Sequence, residues 1–355
     1  MQLKYFKNLD GVRAYAALMV LVFHFFGNGF ADYSSDIIFY KKITEFGQHG
    51  VSLFFVLSGF VISRILIKNK SNEGYFSNFY IRRTLRIFPL YYLYLVLHYF
   101  VFPLIFESPF SPFQNQLPYY FYVQNFRELL DYSASGPGHF WSLAVEEHFY
   151  LIWPLVIFLT PLKKIYQVCY AGLVFLLLVK LYLVSQHFSI NYLTITRVDQ
   201  IIIGSLIAVF EYEGKLNKVF FNAKRLFIIL IGTFGIGVGL YVFSSQFYEI
   251  KQVLKYPIMS VYFFAFIVVL VVYPHLKVFQ IIFENKLIQP IGKISYGFYV
   301  YHIFGLELME KFFRTEIIIL DFLIAFLLTF GIALLSFNTI EKYFMNLKQK
   351  LAPKI

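Results

Sequence analysis

Three ionisable residues, His24, Glu146 and His302, lie inside long apolar runs of this sequence. Such groups are expensive at membrane depth and mark ion paths or reaction sites. An imidazole beside a carboxylate suits general acid–base work. The ring accepts a proton from a hydroxyl, and the carboxylate orients the ring and stabilises the cation that forms. The same pair would serve a proton relay in a transporter, or a structural hydrogen bond with no chemistry at all. Glu147 follows Glu146 directly, and helical neighbours point about 100° apart, so the two carboxylates are not expected to share a cavity. Arg197 and Asp199 open another apolar run and read as either an interfacial ion pair or the rim of a site. Arginine suggests a second chemistry. Arg82, Arg83 and Arg86 fall in one stretch, RRTLRIFPL, ahead of Pro89, and Arg83 and Arg86 share a helix face. With Arg13 and Arg64 they form a group of guanidinium ions suited to bidentate capture of a polyphosphate. Loop charge bias and lipid head groups explain the total charge, but less well the use of Arg alone in this stretch.

The elements that must carry these groups are apolar runs of spanning length. Of 355 residues, 59% are hydrophobic, 22% aromatic and 14% charged. Soluble domains run near 45–50% apolar with about 25% charge, so a soluble enzyme, a disordered chain and a collagen-like chain are excluded. The single cysteine, Cys169, excludes an intrachain disulfide framework and a cysteine-based zinc site. Spanning runs occur at 12–30, 47–67, 88–106, 140–160, 165–184, 196–212, 226–244, 257–274, 294–313 and 316–338. The expected fold class is therefore all-α, a polytopic integral membrane protein of about ten transmembrane helices. The first run carries His24 and is followed by no small-residue cleavage site, which predicts an uncleaved span.

Ten spans put both termini on one side. With the N-terminus inside, 21 basic residues fall on inside segments, Lys354 among them, and 6 outside, including Lys41 and Lys42. The positive-inside rule then predicts N-in and C-in. It assigns the net charge of +11 to cytoplasmic loops rather than to nucleic acid. At about 1.5 Å per residue, His24 lies roughly 18 Å, Glu146 roughly 21 Å and His302 roughly 12 Å from the inner edge of a ~30 Å core. The outside loop 107–139 is rich in Pro and aromatics and reads as an interfacial belt or as a lid over an outward site. Gly232, Gly235, Gly237 and Gly239 suggest a small-residue helix-packing face. The expected organisation is one transmembrane domain over 1–340 and a cytoplasmic tail over 341–355, with no appended soluble domain.

Six segments in order resemble the membrane-bound acyltransferase type 3 family, which O-acylates extracytoplasmic sugars. LDGVRAYAALMVLVFHFF resembles its opening span, with Arg13 and His24 separated by ten residues. GVSLFFVLSGFVIS carries Ser58 and Gly59, and YIRRTLRIFPLYY resembles the family's R-x-x-R loop with Arg83 and Arg86. HFWSLAVEEHFYLIWP is similar to its W-S-L-x-x-E motif with Trp141, Ser142 and Glu146. TRVDQIIIGSLIA holds an R-x-D segment, Arg197 and Asp199, and ISYGFYVYHIF holds Ser295, Tyr296, Tyr299 and His302.

The resemblance implies an acyl-CoA donor, usually acetyl-CoA, bound from the cytosol, and a carbohydrate hydroxyl acceptor on the far side of a bacterial plasma membrane. Arg13, Arg83 and Arg86 would hold the phosphates of CoA. His24 would be the general base or a transient acyl carrier, and Glu146 would orient it and stabilise its cation. Ser142, Arg197, Asp199, Tyr299 and His302 would bind acceptor or acyl group, with small-residue and aromatic packing an equal reading of Ser142 and Tyr299. Small residues Ser58 and Gly59 would border the path of the pantetheine arm. The implied partners are acyl-CoA, a carbohydrate and membrane lipid, with no nucleic acid, no tightly bound cofactor and no metal. The competing class is a proton-coupled transporter or glycan-lipid flippase.

Overall fold

The computed structural model describes residues 4–27, 45–242, 248–315 and 317–352. Lys41, Lys42 and Lys354 lie outside the described residues. Among the described residues there is no β-strand, as an all-α membrane protein requires: lipid offers no partner for backbone N–H and C=O groups, so each segment must satisfy its own. Among the described residues ten long helices follow one another. They are α1 (Asn8–Gly27), α2 (His49–Asn69), α3 (Tyr75–Val96), α4 (Trp141–Leu159), α5 (Ile165–Ser185), α6 (Thr194–Tyr212), α7 (Ala223–Val242), α8 (Tyr248–Val272), α9 (Ser295–Leu308) and α10 (Ile318–Ser336). Among the described residues, eight helical stretches are long and apolar enough to cross a membrane. Outside that set stand α6, which carries Arg197, Asp199 and Glu211, and α9, which is 14 residues long.

Two compact units are resolved, and each is built around close backbone approaches. The first comprises Met1–Phe6, Ser52–Tyr75 and Phe113–Leu276. Here α2 and α6 touch through glycine: a Cβ on Gly59 would strike the Ile201 carbonyl, and one on Gly204 the Val56 carbonyl. The side chains above and below this crossing are tied too. Trp153 Nε1 donates to Ser63 Oγ at 2.7 Å. Arg64 grips both oxygens of Glu211, with Nη2 at 2.7 Å from Oε1, and its Nη1 donates to the Lys4 carbonyl. Arg64 therefore fastens α2 to α6 and to the N-terminal segment, a structural use that its place at the end of span 2 did not disclose.

The second unit comprises Lys7–Val51, Phe76–Pro112 and Lys277–Ile355. Gly11 lies against the Phe283 backbone and Gly292 against that of Asp10. In this unit α3, α9 and α10 each run into a π-helical turn, at Leu97–Val101, Met309–Phe313 and Phe337–Glu341. Such turns cost hydrogen-bond geometry and often re-aim side chains at functional positions.

Three local expectations change. The arginine stretch is not a loop: α3 starts at Tyr75 and carries Arg82, Arg83, Arg86 and Pro89 within it. A hydropathy reading stops at the arginines, whereas a helix needs only satisfied backbone. The glycines of α7 are not a packed face among the described residues, since a Cβ at Gly232, Gly235 or Gly239 would meet nothing and at Gly237 only Met259 Sδ at 3.7 Å. Loop 107–139 contains helical turns at Phe113–Tyr120 and Arg127–Leu130. Its aromatics divide: Phe110, Phe113 and Phe121 are exposed, while Tyr119 and Tyr122 are buried. Burial pushes the Tyr119 hydroxyl up to about 12.

Candidate active site

In the second unit the last turn of α1 presents His24, half-buried, with its ring edge-on to Phe23. The ring centroid of His24 is 4.9 Å from that of His302 on α9, with the planes inclined at 43°. The rise per residue places the two about one turn apart in depth, and the structure sets them side by side. His302 is completely buried, and its Nδ1 is 2.5 Å from the Tyr299 carbonyl. A carbonyl only accepts, so Nδ1 carries the proton of a neutral His302 and Nε2 holds the basic lone pair. Tyr299 completes the group, its ring centroid 5.4 Å from that of His302.

The same unit holds the arginines. Arg13 pairs with Asp10 Oδ1 at 2.6 Å within the first turns of α1. Arg82 donates to the Ala352 carbonyl at 2.6 Å. Arg83 is half-buried, with its guanidinium 5.8 Å from the Phe79 ring centre. Arg86 is exposed and acts electrostatically on the carboxylate of Glu341. Glu341 is itself buried and lies over α9, where a Cβ added at Gly297 would come within 2.9 Å of its Oε1. A guanidinium has five N–H donors in a planar fork, the geometry that suits bidentate contact with phosphate.

In the first unit Glu146, on the second turn of α4, accepts a hydrogen bond from Tyr150 Oη at 3.0 Å. Tyr150 Oη in turn is 2.6 Å from Ser58 Oγ. A phenol has one proton, so its donation to Glu146 fixes Ser58 as the donor to Tyr150. Ser142 donates to the His139 carbonyl at 3.3 Å, closing the turn that leads into α4. Arg197 and Asp199 are both buried, at 1% and 4% exposure, and are not an ion pair at an interface. Asp199 Oδ2 is bound instead by Lys180 Nζ of α5, 2.6 Å away. Arg197 faces aromatic rings, with its guanidinium carbon 3.5 Å from the Tyr256 ring centre and 4.8 Å from that of Trp141. The helical spacing explains the split: residues two apart on α6 point to different sides, so each finds its own partners. His24 falls in one unit and Glu146 in the other.

Three contributors were not singled out from sequence. Lys180 sits in the run 165–184 and meets the same cost rule that marks His24, so its signal was present. Tyr150 stands four residues after Glu146, one helical turn on, but nothing separates it from the other tyrosines among 29 in the chain. Glu341 was assigned to the tail because it lies beyond the last apolar run.

An all-α chain whose apolar helices carry buried ionisable side chains is a polytopic membrane protein. The chain belongs to the acyltransferase type 3 family: the family model, described as an acyltransferase domain, matches residues 6–337. A protein of Staphylococcus aureus (strain COL), provisionally named an O-acetyltransferase, is 27% identical over 367 residues, covering 97% of this chain and 58% of the relative. The O-acetyltransferase OatA of Staphylococcus aureus (strain NCTC 8325 / PS 47) is 26% identical over 368 residues, covering 95% of this chain and 57% of OatA. The chain thus spans less than two thirds of the length of these curated relatives. No solved structure matches it.

Proposed function

We propose that this chain is an integral-membrane O-acyltransferase. It moves an acyl group, acetyl in the first instance, from cytosolic acyl-CoA to a hydroxyl of an extracytoplasmic sugar in a bacterial inner membrane. Family membership over residues 6–337 and the names of its relatives support the acyl-transfer class. The observation that carries the chemistry is the contact of His24 with His302, an imidazole pair inside apolar helices. His24 takes the proton of the acceptor hydroxyl while that oxygen attacks the thioester carbonyl. The C–S bond breaks, and the CoA thiolate leaves with the proton returned by His24. If the acyl group rests first on the imidazole, the same residue is the nucleophile. Glu146, held by Tyr150, is the carboxylate available to offset a cation that forms during transfer. Arg13, Arg83 and Arg86 bind the phosphates of CoA, and Ser142, Arg197, Asp199, Tyr299 and His302 serve the acceptor and acyl end. The reading carries one transmembrane domain over 1–340 and a tail over 341–355, ten spans with N-in and C-in, and acyl-CoA, carbohydrate and lipid as partners. It needs no tightly bound cofactor, metal or nucleic acid.

The test uses the full chain in lipid nanodiscs with radiolabelled acetyl-CoA and surface glycan as acceptor. Wild type transfers label to glycan, and His24→Ala inserts normally and transfers none. A transporter or flippase would leave acetyl-CoA untouched, and wild-type transfer by the His24→Ala protein would remove His24 from the reaction.

A further inference from the structure

Arg197 carries more positive charge into the first unit than its surroundings neutralise. It is 1% exposed, yet among the described residues no carboxylate lies within ion-pair distance of it. The nearby carboxylate, Asp199, is taken by Lys180, also 1% exposed. Lys255 adds a third cation, its Nζ 4.5 Å from the centre of the same Tyr256 ring that Arg197 covers. Two fully buried cations, Arg197 and Lys180, thus have one buried carboxylate between them, a costly arrangement in a low-dielectric setting unless an opposite charge joins them.

The donors left over are specific. Arg197 Nη1 is used by the Asn191 carbonyl at 3.1 Å, while Nε has no partner among the described residues. Gln200 shares the Arg197 face of α6 by its i,i+3 spacing. It is completely buried, and neither its amide oxygen nor its amide nitrogen has a partner among the described residues. Burying such groups unsatisfied is destabilising, so their retention points to an occupant. Aromatic rings run from the guanidinium toward the surface. Trp141, half-buried, lies 4.8 Å from the guanidinium, and exposed Tyr192 lies 5.2 Å from Trp141, centre to centre.

We propose that Arg197, Gln200, Trp141 and Tyr192 form a subsite for an anionic group, a carboxylate or a phosphate ester, borne by the acceptor sugar. The anion meets the guanidinium edge and balances the charge of Arg197 that Asp199, bound by Lys180, does not. The ring that bears it stacks on Trp141 and Tyr192, and its hydroxyls satisfy both ends of the Gln200 amide. This deepens the acceptor reading given above and rests on it: the acceptor is an acidic glycan.

Trp141 is one of only 2 tryptophans, so intrinsic fluorescence reports binding beside Arg197 without any acyl donor. The purified full chain is titrated with a glucuronate-containing tetrasaccharide, with its carboxyl-reduced neutral form, and with a phosphorylated counterpart of the neutral form. At least one anionic probe binds about 10-fold or more tighter than the neutral one, which also tells carboxylate from phosphate as the source of charge. Arg197→Lys, which keeps the charge and loses the fork, cuts that preference severalfold. Equal affinity of wild type for all three probes overturns the proposal, and that comparison needs no variant to fold. Anion preference without acetyl transfer would sink the acyltransferase reading alone, and transfer without anion preference would sink this one alone.

Discussion

Tyr150→Phe removes one oxygen from the centre of a hydrogen-bonded chain and leaves the ring that packs on Phe149. In the native chain Ser58 donates to Tyr150 across 2.6 Å, and Tyr150 donates to Glu146 Oε2 across 3.0 Å. A hydrogen bond to an ionised acceptor is worth about 1.5–3 kcal/mol. Glu146 is half-buried and water can replace part of the loss, so the lower figure applies. About 1.5 kcal/mol corresponds to roughly a 10-fold change. If Glu146 stabilises a cation that exists only during transfer, that change falls on kcat and leaves KM for acetyl-CoA alone. Single-turnover transfer from radiolabelled acetyl-CoA, with KM measured separately, is the assay. Tyr150→Phe lowers kcat about 10-fold, and Ser58→Ala lowers it in the same direction by less, since it removes only the support of the donor. Thermal stability should move little, because the ring stays in place. The reasoning fails if Tyr150→Phe keeps kcat within about twofold of wild type in a preparation where Glu146→Gln abolishes transfer. Tyr150 would then be packing, and the hydroxyl chain incidental.

The arginines separate by partner. Arg64→Ala and Glu211→Gln should lower the melting temperature to similar extents with KM for acetyl-CoA unchanged, whereas Arg83→Ala and Arg86→Ala should raise that KM roughly 10- to 150-fold by loss of charge-assisted bonds. The buried Lys180–Asp199 pair should behave as a coupled unit: Lys180→Met alone costs about 3–5 kcal/mol in denaturant titration, while Lys180→Met with Asp199→Leu recovers most of it. His302→Asn should reduce kcat and leave CoA binding intact, with a smaller loss than the 10²- to 10⁴-fold typical when a general base is removed. A rise confined to KM for CoA would place His302 in donor binding instead.

The helices were legible because the bilayer imposes one rule on every span: satisfy the backbone internally over about 20 residues. That rule reads off length and apolarity, so α1, α2, α4 and α5 sit within a few residues of their sequence positions. It fails where a helix goes on past the apolar stretch. Thus α3 begins at Tyr75 with its arginines inside the helix, and Lys342–Leu351 continues as helix beyond α10. The cost of burying charge also reads from sequence, which is why His24, Glu146, His302, Arg197 and Asp199 could be picked out by type and depth.

What the cost rule does not supply is the partner. It states that Asp199 must be compensated, and Arg197 two residues away is the nearest answer in sequence, but a helix turns about 200° over that interval and carries the two side chains apart. The compensating charge comes instead from Lys180 on the preceding helix, 2.6 Å away in space. Arg197, not paired with Asp199, meets aromatic rings instead. The same displacement explains Glu341, which sequence position sends to a tail and which the fold lays over Gly297 within the field of Arg86. In both cases the residue that balances a buried charge sits on another helix, so a site in a bundle is a property of helix crossings. Crossings are set by small residues such as Gly59 and Gly204, where one missing Cβ decides which faces meet. A bulky residue at Gly59 would therefore part α2 from α6 before it could obstruct any path for the donor, and the steric test of such a path belongs at Ser58, which is half-buried and hydrogen-bonded to Tyr150.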